Sequence, residues 1–271
     1  MKQLVLAFQF LTLIPLRARG GVTAKEIAQS TIFFPAVGAF QGLLAVCAGS
    51  VFLRVFPPEI AGGLILVVLV ISNGGFHLDG LADTFDALAV KSGGDREADR
   101  EKRLAVMKDS FTGAIGVTAI VITILLKFLL INSLVLRFPR PLAFSVLFLM
   151  PVLSKWGMVT AMYHGKPARE DGLGKLFLDN MGTGTVLLSS LVMVLVCIPV
   201  ALLNLGSAPA TDAVALPVVL LAAGFLFSFL SAKFCVRRFS GLTGDNFGAI
   251  GELSEILFLM VVIVWFHGYI S

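Results

Sequence analysis

The stretch IAGGLILVVLVISNGGF (residues 60–76) runs without a break into HLDGLADTFD (77–86), and its reading decides the fold. The first part carries no charge and approaches the length of about 20 mostly apolar residues that a bilayer crossing needs. In lipid a backbone must satisfy its own hydrogen bonds, so such a run is a helix. The second part sets Asp79, Asp83 and Asp86 at i, i+4 and i+7, within about 60° of one another on a helix. An Asp at mid-bilayer costs about 2.5–3.5 kcal/mol on insertion scales. Three on one stripe repel one another unless a cation joins them. The stripe is therefore expected at the membrane interface, holding a hard ion such as Mg²⁺ that shares its coordination with substrate phosphates. A solvated helix face is the alternative, but Leu78, Leu81, Ala82 and Phe85 make the opposite side apolar. Gly74, Gly75 and Gly80 permit a helix break or a close backbone approach. His77 is a general base, a ligand or an interfacial polar residue; the sequence leaves all three open.

The rest of the chain agrees with a membrane setting. Of 271 residues, 57% are hydrophobic and 14% charged, with a mean hydropathy of +0.94. A soluble domain has about 45–50% apolar and about 25% charged residues. An ordinary soluble enzyme and a disordered chain are excluded, and a net charge of +4 is too slight for a nucleic-acid partner. Cys47, Cys197 and Cys235 lie in or beside apolar runs with no paired spacing, which reads as buried packing. Apolar runs at 31–53, 60–76, 113–136, 142–162, 183–205, 213–232 and 253–270 predict an all-α, polytopic integral membrane bundle of about seven transmembrane helices. Residues 1–16 read as a short interfacial or re-entrant helix. Arg17 and Arg19 follow it without a small-residue cleavage site, so no cleavable signal peptide is expected. Residues 1–271 are expected to form a single membrane-embedded domain.

Basic residues divide sharply between the connections. Sixteen fall before the first span and in the second, fourth and sixth connections, three fall in the alternate ones, and Lys127 and Lys155 are left inside spans. By the positive-inside rule the N-terminus is cytoplasmic and the C-terminus lies outside. The polar segments 77–112, 163–182 and 233–251 all face the cytoplasm on this reading, so the chemistry belongs at the inner face.

Three further segments bear candidate residues. Residues 95–103 (DREADREKR) read as a solvated cytoplasmic helix with an Asp99–Arg103 pair. MKDSFTG (107–113) puts Lys108, Asp109 and Ser110 just before a span, where a phosphate is accommodated as readily as a helix cap. TGDNFGAIGELSE (243–255) places Asp245, Glu252 and Glu255 within about 80° of arc if helical, and Glu252 and Glu255 enter the last span. Between them, Arg169 on a flexible loop either grips a phosphate bidentately or merely follows the positive-inside bias.

In order along the chain, GGFHLDGLADTFDAL, RLAVMKDSFTGAIG, AREDGLG and GLTGDNFGAIGELSE resemble the cobalamin synthase family, the adenosylcobinamide-GDP ribazoletransferases, as do the opening FQFLTLIPL and FFPAVGAFQG. The resemblance covers most of the chain. It implies that alpha-ribazole, or its 5′-phosphate, displaces GMP from adenosylcobinamide-GDP with Mg²⁺, completing cobalamin assembly at a prokaryotic inner membrane. On that view Asp79, Asp83 and Asp86 hold Mg²⁺, and Lys108, with Arg103 or Arg169, stabilises the departing GMP. Asp109 counts with the catalytic residues and Ser110 with those that bind substrate. One carboxylate or His77 accepts the proton of the ribazole 5′-hydroxyl, and Asp245, Glu252 and Glu255 bind substrate, Asp245 and Glu252 as a second metal or nucleoside site. A homo-oligomer, or a complex with other cobalamin-assembly enzymes, is compatible with the resemblance. Two positions depart from the family pattern: Ala87, where Gly is common, and Phe111, where Arg is common. Lys108 accordingly carries more of the phosphate-binding charge.

Rival classes fit less well. CDP-alcohol transferases use a longer Asp-Gly pattern with an Arg that this chain lacks, and polyprenyl transferases carry two comparable Asp-rich helices. An ion-coupled transporter would gather paired charges at the midplane, with only Lys127 and Lys155 as candidate bases there.

Overall fold

The computed structural model describes residues 1–203 and 210–267. Twelve α-helices follow one another among the described residues, with no β-strand. They are α1 (Lys2–Leu11), α2 (Ala24–Ser30), α3 (Phe34–Val55), α4 (Pro58–Ser72), α5 (Phe76–Ala89), α6 (Arg96–Val106), α7 (Ala114–Arg137), α8 (Arg140–His164), α9 (Leu173–Leu178), α10 (Thr183–Leu203), α11 (Ala210–Phe239) and α12 (Gly244–Trp265). Among the described residues six stretches are long and apolar enough to cross a membrane: α2–α3 taken together, α7, α8, α10, α11 and α12. The pair α4 and α5 makes a seventh only as one broken span, bent by 84°. The chain is a polytopic helical membrane protein, and the short helix expected at its start is α1.

The break falls where Gly74 and Gly75 were expected to permit one, and it ends the first helix short of the expected boundary at 76. Helix α4 stops at Ser72, and Gly74 and Gly75 take φ of +67° and +74°, which glycine adopts without steric cost. The Asn73 side chain accepts the Gly75 N–H at 2.9 Å and fixes the turn. The last span also begins earlier than the hydropathy boundary at 253: α12 starts at Gly244 because a capping box between Thr243 and Asn246 closes its first turn. The expected ends at 205 and 270 lie outside the described residues.

Small residues set the helix spacing. A side chain at Gly38 or Gly42 of α3 would collide with the α8 backbone at Pro151 and Phe148, so these two helices pack backbone to backbone. Helix α5 is wedged between α7 and α12 by the same device. Gly80 lies against the Asp245 backbone, Gly248 against that of His77, and Gly116 against the Ala82 carbonyl. The charged helix turned out of the apolar axis by the 84° bend is thus held at the end of the bundle where α7 and α12 begin.

Candidate active site

The α5–α12 contact determines the site. Asn246 is fully buried, accepts the Thr243 N–H at 2.9 Å through Oδ1, and donates from Nδ2 to Thr84 Oγ1 at 3.1 Å. That locks the first turn of α12 to α5 and brings Asp245 beside the acid stripe. Asp83, half-buried, lies within electrostatic reach of Asp79, Asp86 and Asp245, with Arg169 as the cation facing them. Arg169 Nη2 is 3.9 Å from Asp245 Oδ2 and also donates to the Leu104 carbonyl at 3.2 Å.

Asp86 has a partner of its own. Its two oxygens accept the backbone N–H groups of Gly113 (2.7 Å) and Gly116 (2.8 Å), the unpaired donors at the start of α7. Each oxygen keeps one free lone pair. Asp79 is exposed, and Asp83 and Asp86 are both half-buried.

The loop carrying Arg169 is tied down. Residues Lys166–Ala168 pair with Leu242 by two backbone hydrogen bonds of 2.8 and 3.0 Å. Arg100 Nη2 donates to the Ala168 carbonyl at 2.8 Å, and Arg103 Nη1 to the Arg238 carbonyl at 3.2 Å. Helix α6, read from sequence as a solvated helix, is therefore a strut under the loop, and Arg103 is turned to the end of α11. Asp99 accepts the Gly93 N–H at 2.7 Å and a shorter bond from the Ser92 hydroxyl; these hydrogen bonds hold its carboxyl below the usual range. Between loop and α12, a cavity of about 230 Å³ is lined by Arg169, Asp171, Lys175, Thr243 and Asp245 among others. Lys108 reaches the rim, 3.6 Å from Asp171. Asp109 accepts the Phe111 N–H at 3.1 Å, and Ser110 is exposed in the same turn.

The remaining predicted residues gather elsewhere. Glu252 and Glu255 turn into the bundle, where Lys127 Nζ donates to them at 2.5 and 2.6 Å. Lys155, wholly buried, is 3.6 Å from Glu255 and 3.4 Å from His77 Nδ1, which also lies 3.4 Å from Asn73 Nδ2. An ammonium only donates, so His77 Nδ1 accepts and the ring is neutral with its proton on Nε2. Two cations and two carboxylates balance in this network. The missed partners had a signal: Lys127 and Lys155 were the two bases left inside spans, opposite two acids entering the last one.

The donor set suits a hard cation. Asp79, Asp83 and Asp245 offer only oxygen donors, with a single guanidinium against them. Among the described residues no three His, Cys, Asp or Glu side chains close on a metal by themselves. Mg²⁺ is ordinarily held by one or two carboxylates and completed by water and phosphate oxygens, which this arrangement fits.

Fold and site together define a membrane-embedded helical protein with an acid helix and a cationic loop meeting at one end of the bundle. The family model described as cobalamin-5-phosphate synthase matches residues 3–263, and the chain belongs to that family. It is similar to the adenosylcobinamide-GDP ribazoletransferase of Thermodesulfovibrio yellowstonii, at 36% identity over 258 residues and 94% of each chain. It is also similar to proteins of that description from Desulfitobacterium hafniense, at 34% identity over 96% of each chain, and Clostridioides difficile, at 31% over 97% of each. No solved structure matches the chain.

Proposed function

We propose that the chain transfers the cobinamide phosphate of adenosylcobinamide-GDP to alpha-ribazole or its 5′-phosphate, giving adenosylcobalamin or its 5′-phosphate and releasing GMP. The observation that carries the reading is the α5–α12 contact, where Gly80 of the acid helix packs on the Asp245 backbone and Arg169 lies 3.9 Å from Asp245 beside a polar cavity, in a chain of this family. A ribose hydroxyl attacks the cobinamide-bearing phosphorus, the bond to the bridging oxygen breaks, and GMP leaves with that oxygen. Because the 5′-phosphorylated nucleoside also reacts on this reading and has no free 5′-hydroxyl, the attacking oxygen is a ring hydroxyl, not the 5′-hydroxyl expected from the resemblance.

Asp79 and Asp83, with Asp245, would hold Mg²⁺, which when bound neutralises diphosphate oxygens and eases departure of the leaving group. Arg169 orients the diphosphate from the loop side through its planar fork, and Lys108 adds charge at the rim. The proton of the attacking hydroxyl goes to a carboxylate of the acid stripe. His77 faces Lys155 instead, and its role is to hold α5 in place. The site faces the cytoplasm of a prokaryotic inner membrane, with the N-terminus inside and the C-terminus outside; the distribution of bases supports this.

The test is GMP release by the purified protein in lipid, given adenosylcobinamide-GDP, alpha-ribazole and Mg²⁺. GMP and a cobalamin should appear together, and both should vanish with Asp83→Asn or chelator. Intact substrate in folded, Mg²⁺-supplied protein would overturn the reading.

A further inference from the structure

A second cavity, of about 440 Å³, lies between α5, α11 and α12. Phe85 and Leu88 of α5 wall it, with Phe227, Leu230 and Phe234 of α11 and Leu253 of α12. On the α5 helix these positions lie roughly opposite the acid stripe, so the cavity is no part of the site above. Leu230 and Phe234 are exposed, which opens it to the lipid-facing surface. Its polar lining is already engaged where Asn246 donates to Thr84.

The end of α11 supplies charge at the cavity's edge. The Arg238 guanidinium stands 5.8 Å from the centre of the Phe234 ring, which walls the cavity, whereas the Lys233 ammonium lies 5.3 Å from that of Phe229, which does not. Lys233, Arg237 and Arg238 are exposed, and none has an acidic partner within ion-pair distance among the described residues. Lys108, Arg169 and Lys175 each face a carboxylate, whereas Lys91, Arg96, Lys102 and Lys166 also have none within ion-pair distance among the described residues; Arg238 is set apart by its place on the Phe234 ring.

An apolar groove on membrane helices, edged by unpaired cations where the helix leaves the membrane, matches a phospholipid with an anionic headgroup. We propose that this groove is such a site: an acyl chain lies along Leu230 and Phe234, and the phosphate is met by Arg237 and Arg238. The proposal goes beyond the transferase reading and stands on different residues.

Native mass spectrometry of the purified protein, exposed to equal amounts of phosphatidylglycerol and phosphatidylcholine, tests it. The wild type should retain phosphatidylglycerol in preference. Arg237→Gln and Arg238→Gln should each lower that retention about fivefold, and Lys25→Gln at the other end of the chain should not. Ser231→Trp, filling the groove, should lower retention of both lipids. Equal retention of the two lipids, or phosphatidylglycerol retention unchanged in the arginine variants, would overturn the proposal. So would glycerol 3-phosphate competing as well as the lipid, since that marks a phosphate contact without a chain. Ser231→Trp need not fold for the test to decide, because the exposed arginine variants suffice.

Discussion

Gly80 lies so close to Asp245 that a methyl group on it would come within 2.7 Å of the Asp245 carbonyl oxygen. The acid stripe and the first turn of α12 therefore meet only because α5 has no side chain at that point. Gly80→Ala should force the helices apart and cost about 1–3 kcal/mol. GMP release should fall about 10²-fold, since a displacement of 1 Å is enough to spoil the alignment of reacting groups. Thermal unfolding in detergent and product assay measure the two effects; Gly182→Ala, with open space around it, should change neither.

Asp83 and Asp86 share a stripe but differ in their partners. Asp83→Asn should abolish GMP release with little change in melting temperature. Asp86→Ala leaves the Gly113 and Gly116 N–H groups without acceptors and should lower stability by about 1–3 kcal/mol as well as activity. Equal melting temperatures for the two variants would contradict the capping role.

Arg169 meets the Leu104 carbonyl and the Asp245 carboxylate through one nitrogen, Nη2, and the rest of its planar guanidinium is what a lysine could not offer a diphosphate. Arg169→Lys should keep the charge yet lower turnover about 10²-fold. An activity near wild type would show that charge alone suffices.

Asp99 ties α6 to the turn at Ser92 and Gly93, and its carboxyl is depressed in the folded protein. A group with a depressed value stabilises fully above its unfolded value of about 4 and loses that contribution as pH falls through the folded one. Protection of α6 amides against hydrogen exchange should hold from pH 7 to 5 and weaken below 4. In Asp99→Asn that acid-dependent loss should disappear.

Lys127 is clasped by Glu252 and Glu255 in the bundle interior; removing it strands Glu252 and leaves Glu255 with Lys155 alone, 3.6 Å away. Lys127→Met should cost about 3–5 kcal/mol. Adding Glu252→Gln should recover part of the loss in the melting temperature, because one stranded charge goes with it.

The apolar spans, the acid stripe and the cationic loop were legible because hydropathy and spacing are local properties. The 84° bend was not: Gly74 and Gly75 announce freedom at that point, but the angle follows from what α7 and α12 leave for α5. Asp86 could not be separated from Asp79 and Asp83 by sequence, because its partners are backbone amides 27 and 30 residues away. Glu252 and Glu255 looked like functional acids for the same reason, their partners being on α7 and α8. Arg103 seemed free to meet a phosphate, yet it faces a carbonyl 135 residues on.

The buried network has a consequence for how the protein is made. Lys127 enters the membrane with α7, but Glu252 lies 125 residues later, a delay of about 6–25 s at ordinary elongation rates. During that interval an isolated lysine sits in a span, a placement that costs about 2.5–3.5 kcal/mol. The last helix neutralises it on arrival. A nascent chain stopped before α12 would therefore hold Lys127 and Lys155 in the membrane without the carboxylates that pair with them.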